Sequence, residues 1–147
     1  MPKTVGSKRG GIIAAVIMVI VFAGAGVMFY YGEREADVRI ADNQIQIEAM
    51  YGLDIDFSGV TGVSLIEKSM QEIGVGRRDN GYGGFGDTLK GHFSSDNLGK
   101  VLLFVKVASS PTIRIARGDA EPVYISFSDA AKTKLLYEAL IAALPPA

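Results

Sequence analysis

Residues 44–57 read QIQIEAMYGLDIDF. Ile45, Ile47 and Ala49 alternate with Gln44, Gln46 and Glu48, the period of a strand with one apolar and one wet face. Gly52 follows as a turn residue. Leu53, Ile55 and Phe57 then alternate with Asp54, Asp56 and Ser58, which predicts a second strand and a hairpin.

The same grammar continues toward the C-terminus. VTGVSLIE (60–67) predicts a third strand, with Val63 and Leu65 on one face. The stretch 71–99 holds eight glycines, too many for simple strands, and Asn80-Gly81 is a turn signal. TLKGHFS (88–94) predicts a strand, and KVLLFVKV (100–107) a central one, because it is apolar on both faces. TIRIAR (112–117) sets Ile113 and Ile115 against Arg114, and PVYISF (122–127) sets Val123, Ile125 and Phe127 against Tyr124 and Ser126. Gly118-Asp119 between them predicts a hairpin. The period then changes. Ser128 or Asp129 suits a helix cap, and Leu136, Leu140 and Leu144 recur every four residues beside Tyr137 and Ile141, predicting a helix that stops before Pro145-Pro146. The fold class expected is mainly β: about seven short antiparallel strands and one terminal helix. So many short strands must close or fold over to hide their edges, and the helix would cover an open end.

Toward the N-terminus the character is different. Gly11 to Tyr31 reads GIIAAVIMVIVFAGAGVMFYY, without a charge, Asn, Gln or Pro. As a helix it is about 31 Å long, the thickness of a bilayer's hydrocarbon core. Phe29, Tyr30 and Tyr31 stand at its end, where aromatic rings favour the headgroup region. A cleaved signal has a shorter apolar region, and the small pair Ala23 and Ala25 lies inside this run, so an uncleaved anchor is expected. Ala14, Gly24 and Gly26 are small, but no full GxxxG is present to mark a helix-dimer face. The expected organisation is a basic tail (1–10), a transmembrane helix (11–31), a juxtamembrane linker (32–39) and the β domain (40–144). Within the linker Glu33 to Asp37 (EREAD) reads as a solvated juncture.

Charge is distributed unevenly. The net charge of the 147 residues is −1, yet no Asp or Glu precedes Glu33, and the first ten residues carry Lys3, Lys8 and Arg9. From Glu33 onward 12 basic residues face 16 acidic ones. This balance argues against a nucleic-acid partner. Three cations before the span against Arg34 and Arg39 just after it place the N-terminus in the cytoplasm and the domain outside, by the positive-inside rule. Without cysteine there is no disulfide, thiolate metal site or thiol nucleophile, and one histidine, His92, cannot build a multi-histidine zinc site. No cofactor or metal is expected.

Met50-Tyr51-Gly52, Ile73-Gly74 followed by arginine, Asn80-Gly81 with the glycines to Gly86, Gly91-His92-Phe93, Gly99-Lys100-Val101 and Leu103-Phe104-Val105 stand in an order that resembles a bacterial pleckstrin-homology-like (PH-like) domain family. The resemblance covers residues 40–142. It departs at Arg77-Arg78-Asp79, where the family has one arginine and then a small polar residue. It implies a PH-like barrel of about seven antiparallel strands in two near-orthogonal sheets, capped by the C-terminal helix, a binding or assembly module and no reaction. Fold alone names no ligand.

The candidate contact residues are Arg77, Arg78, Asn80, Tyr82, Lys90 and His92. Gly81-Tyr82-Gly83-Gly84-Phe85-Gly86 matches G-x-G-x-x-G in form, but no helical pattern follows it and no Asp or Glu lies between Asp96 and Asp119, so a dinucleotide site is not expected. Tyr82 and Phe85 read as packing residues, and His92 as a structural histidine that hydrogen-bonds the glycine loop. Arg77, Arg78 and Lys90 would bind anionic lipid headgroups if the fold gathers them, since guanidinium pairs well with phosphate. The expected function is a membrane-tethered, non-enzymatic module for a protein partner or self-association. Lipid-headgroup binding is the alternative, and an enzyme with an unrecognised site the more remote one.

Overall fold

A computed structural model describes residues 5–83 and 86–145. The chain divides into two units between Tyr31 and Gly32.

The first unit is helical. Helix α1 (Val5–Glu33) contains a 23-residue window, Lys8–Tyr30, with mean hydropathy 2.8, long and apolar enough to cross a membrane. Its apolar side chains, Ile12 through Tyr30, stand exposed, with Phe22 at 70%. Nothing lies within contact distance of a Cβ built at Gly10, Gly11, Gly24 or Gly26.

The second unit is mainly β. Among the described residues it holds nine strands in two sheets, then a terminal helix. Strands β1 (Asp37–Ala41), β2 (Gln44–Glu48) and β3 (Leu53–Asp56) form an antiparallel meander. Asp42 and Asn43 turn β1 into β2 with φ of 54° and 58°, the left-handed pair of a tight hairpin turn that Asp and Asn tolerate. The other sheet contains β4 (Gly62–Ile66), β5 (Arg77–Gly83), β6 (Thr88–Ser95), β7 (Gly99–Lys106), β8 (Thr112–Arg117) and β9 (Ala120–Ile125), in the order β4-β8-β9-β7-β6-β5.

Three differences from the sequence reading have physical causes. The strands number nine, not about seven. Strand β1 begins inside the stretch read as linker, and β5 tolerates its two glycines because it is an edge strand with a bulge between Arg78 and Asn80. The sheet is not wholly antiparallel: β9 inserts between β8 and β7 and runs parallel to β7, Leu102 facing Val123 and Phe104 facing Ile125. Finally, a one-turn helix, α2 (Met70–Ile73), starts at Ser69, whose hydroxyl accepts the Glu72 N–H. Among the described residues no ladder joins β4 to β5, so the six-stranded sheet keeps two edges.

Strand β7 is covered on both faces, which explains its unbroken apolar run. Leu102 and Phe104 pack with Ile113, Ile115, Val123 and Ile125 against Ile45, Ile47 and Ile55 of the small sheet. Val101, Leu103 and Val105 pack on the opposite side with Phe93, Tyr124 and Met70 of α2. Helix α3 (Ala130–Ala143) is capped by Asp129, whose carboxylate accepts the Ala131 N–H at 2.9 Å. Leu140 is fully buried and Leu136 and Tyr137 pack beside it, whereas Ile141, expected in the apolar stripe, is 49% exposed.

Candidate functional site

Alternation along β6 sends Thr88, Lys90 and His92 to one face and Leu89, Gly91 and Phe93 to the other. Gly91, at φ 108°, faces Gly81 so closely that a Cβ would stand 2.6 Å from the Gly81 Cα. Lys90 is only 2% exposed. A buried ammonium must be hydrogen-bonded, and its Nζ donates to the Arg34 carbonyl. Burial, and then the charge of Lys106, lower its pKa to about 8.

Lys106 completes this polar cluster. Its Nζ donates to the Glu33 carbonyl at 3.1 Å and to the Thr88 hydroxyl at 2.5 Å, with Asp87 at 3.8 Å. Thr88 in turn donates to the Glu33 carboxylate at 3.0 Å, and Tyr82 donates to the same carboxylate at 2.8 Å. Burial pushes the Glu33 carboxyl up, but the Tyr82 and Thr88 hydrogen bonds and the Lys106 charge outweigh it and hold it below its usual value. Burial and the Glu33 carboxylate push the Tyr82 phenol up to about 12. A Cβ at Gly86 would stand 2.5 Å from a Glu33 carboxylate oxygen, so glycine makes room for this contact. Glu35 accepts from the Ser128 N–H at 2.7 Å, from its hydroxyl at 3.0 Å, and pairs with Lys132 at 3.5 Å. Of the residues read as a solvated juncture, Arg34 and Asp37 are exposed, but Ala36 is buried and Glu33 and Glu35 are half-buried and bonded into the domain.

The candidate contact residues do not form one patch. Tyr82 and Lys90 face each other across β5 and β6, and both are committed to the cluster around Glu33 and Arg34. Asn80 faces His92. The Tyr51 hydroxyl donates to Asn80 at 3.4 Å, and its ring meets the imidazole edge-on with centroids 6.4 Å apart. His92 Nδ1 lies 2.8 Å from the Glu121 carboxylate on β9, where the sequence reading expected a bond to the glycine loop. Exposed Arg77 pairs with Asp79 at 3.1 Å, and its strand partner Ser94 is four residues, about 13 Å, from Lys90 along β6. Arg78 faces Phe93, on the other side of the sheet from His92. Of the G-x-G-x-x-G stretch, Gly84 and Phe85 lie outside the described residues. Gly81-Tyr82-Gly83 ends β5, and the strand β6 begins at Thr88 where a dinucleotide site needs a helix. Among the described residues no three acids or histidines gather as a metal site.

Sequence reasoning missed a groove of about 620 Å³ between β1 and α3. Ala36, Val38, Phe127, Leu135 and Leu136 give it apolar walls, and Arg34, Glu35, Asp37 and Lys132 a charged rim. Leu135 is 65% exposed there, and Lys132 sits 4.2 Å over the Phe127 ring. Among the described residues β1 pairs only with β2, so its other edge is open. The signal was present in DVRIA (37–41), where Val38 and Ile40 alternate with Asp37 and Arg39. Comparison with family models, curated proteins and solved structures gives no match for this chain.

Proposed function

We propose that the protein is a single-pass, membrane-tethered binding or assembly module without a reaction of its own, whose groove between β1 and α3 receives an extended segment of a protein partner. The observation that carries this reading is an open strand edge beside an apolar groove with an exposed leucine, the arrangement by which a domain adds a strand through main-chain hydrogen bonds and reads alternate side chains. The apolar span and the cations before it support an anchor with the N-terminus in the cytoplasm and the domain outside. A strand-rich domain ending in a helix supports the bacterial PH-like reading; nine strands and the parallel β7–β9 pair are its departures. The lipid-headgroup reading is weaker, because Lys90 is buried and Arg77 is already paired with Asp79.

The test is a photo-crosslinking phenylalanine analogue at Leu135 in the full chain in its native membrane. The expected result is a polypeptide adduct absent when the analogue stands at exposed Lys134. No adduct, or equal labelling at both positions, overturns the groove as a docking site.

A further inference from the structure

We infer that the segment seated against β1 is β1 of a second copy of this chain, paired antiparallel about Val38 so that each copy's Asp37 faces the other's Arg39. This rests on the groove reading above and names its occupant.

A two-fold axis that joins two antiparallel strands into one sheet runs perpendicular to that sheet, so it leaves each side chain on its own face. Facing residues must share a face, and faces alternate along a strand. The axis therefore passes through one residue that meets itself. Centred on Asp37 it sets acid on acid, and centred on Arg39 base on base, both destabilising when directly opposed. Centred on Ile40 it places Asp37 opposite Asn43, which has already left the strand at φ 58°. Centred on Val38 it makes two Asp37–Arg39 pairs on the exposed face. On the inward face it joins Val38 to Val38 and Ala36 to Ile40, all apolar. The two three-stranded meanders then form one six-stranded sheet.

The existing partners of Arg39 do not oppose this. It meets Asp37 at 2.9 Å and Glu48 at 3.9 Å, with side chains 48–66% exposed, and such surface pairs are readily exchanged. Other edges fit less well. Strand β3 carries Asp54 and Asp56 without a base, β5 is bulged, and α3 packs against β4.

The chain lacks cysteine, so single cysteines report cleanly. In the full chain in membranes, a cysteine is placed in turn at each position from 37 to 41 and at Gly24, and the membranes are oxidised. Facing Cα atoms in an antiparallel pair lie about 4.5–5.5 Å apart, within disulfide reach, whereas self-pairs one residue from the axis stand about 8 Å apart, beyond it. The expected result is a dimer band confined to Val38→Cys. In a second arm, Asp37→Arg and Arg39→Asp each abolish the dimer when alone, and the two variants pair with each other when co-expressed. A maximum at another position, a dimer trapped only through Gly24→Cys, or charge variants that dimerise as before overturns the inference. A different polypeptide captured at Leu135 with no dimer at Val38→Cys overturns self-pairing and leaves the groove reading standing. Capture at neither position overturns both.

Discussion

Lys90 should make the domain more stable as pH rises from neutrality, the reverse of what most ion-paired lysines do. Lys90 is 2% exposed and its pKa falls from 10.5 to about 8. Between those values the unfolded chain holds the proton that the folded chain has released. Stability rises with pH wherever the unfolded state binds more protons, so it climbs through this window. Below pH 8 the folded domain carries a buried charge that costs about 3 kcal/mol, from 1.36 kcal/mol per pKa unit. Across pH 7.5–9.5 the recovered part is about 2 kcal/mol. Other groups titrate too, so the quantity to measure is the stability difference between the native chain and Lys90→Met. Methionine keeps the length of the side chain and removes the proton. It also leaves the Arg34 carbonyl without this donor, which costs about 1–3 kcal/mol at every pH and shifts the curve without tilting it. Urea unfolding in mild detergent, followed by far-ultraviolet circular dichroism, reads this difference without relying on tyrosine fluorescence at high pH. The expected result is that the native chain gains about 2 kcal/mol on the variant between pH 7.5 and 9.5. Parallel curves, or a native chain that loses ground as pH rises, would refute the buried-ammonium argument.

Glu33→Gln should destabilise the domain at neutral pH by about 1–3 kcal/mol, the usual worth of charge-assisted bonds, because it weakens the contacts from Tyr82 and Thr88. The folded carboxyl is held below its usual value, so this advantage is present above pH 4.5 and fades as acid protonates Glu33; acid unfolding curves of the two chains should converge there. In the same variant the Tyr82 phenol, otherwise pushed up to about 12, should ionise at lower pH in an absorbance titration. Gly91→Ala should cost at least about 1–3 kcal/mol in urea unfolding, since φ is 108° and the methyl would meet the backbone of Gly81 and Asn80. Leu103→Ala should cost about 2–5 kcal/mol, because its side chain is wholly buried between β7 and α2 and leaves a cavity there.

Most of the strand pattern was legible because one-sided burial writes itself into alternation. Ile45, Ile47 and Ile55 face the core as their period predicts, and the helix cap at Asp129 and the hairpin at Gly118 follow from residue type. What escaped the period was set by partners distant in sequence. Strand β5 is exposed along Arg77–Asn80 and glycine-bearing beyond, so no apolar rhythm marks it; only its ladder to β6 makes it a strand. The parallel alignment of β9 with β7 depends on where a loop crosses, which the apolar pattern of neither strand encodes. The candidate contacts divided for the same reason. Lys90 has a lysine's composition but sits opposite Tyr82 in a register that turns it inward, and Arg77 and Arg78 are separated by the simple alternation of a strand.

The juncture shows how a charge run can mislead. Glu33-Arg34-Glu35 looks solvated in sequence but is held by the domain: Lys106 and Lys90 donate to the Glu33 and Arg34 carbonyls, and Ser128 and Lys132 hold Glu35. Glu33 ends α1 and Arg34 follows it, so these carbonyls stand where a helix end leaves acceptors without intrahelical donors. Apolar side chains at positions 90 and 106 would avoid the cost of burying charge but would leave those acceptors empty. Two lysines satisfy them, and each does so with one reach and one geometry. The result is a defined lead into Asp37, the first residue of β1. An edge strand that is to receive another strand needs a fixed register, because a slip of one residue would turn Val38 outward and Asp37 inward. In the pairing proposed above, the Lys90 and Lys106 contacts hold the chain just before β1, and the strand's alternation then sets which residue meets the second copy.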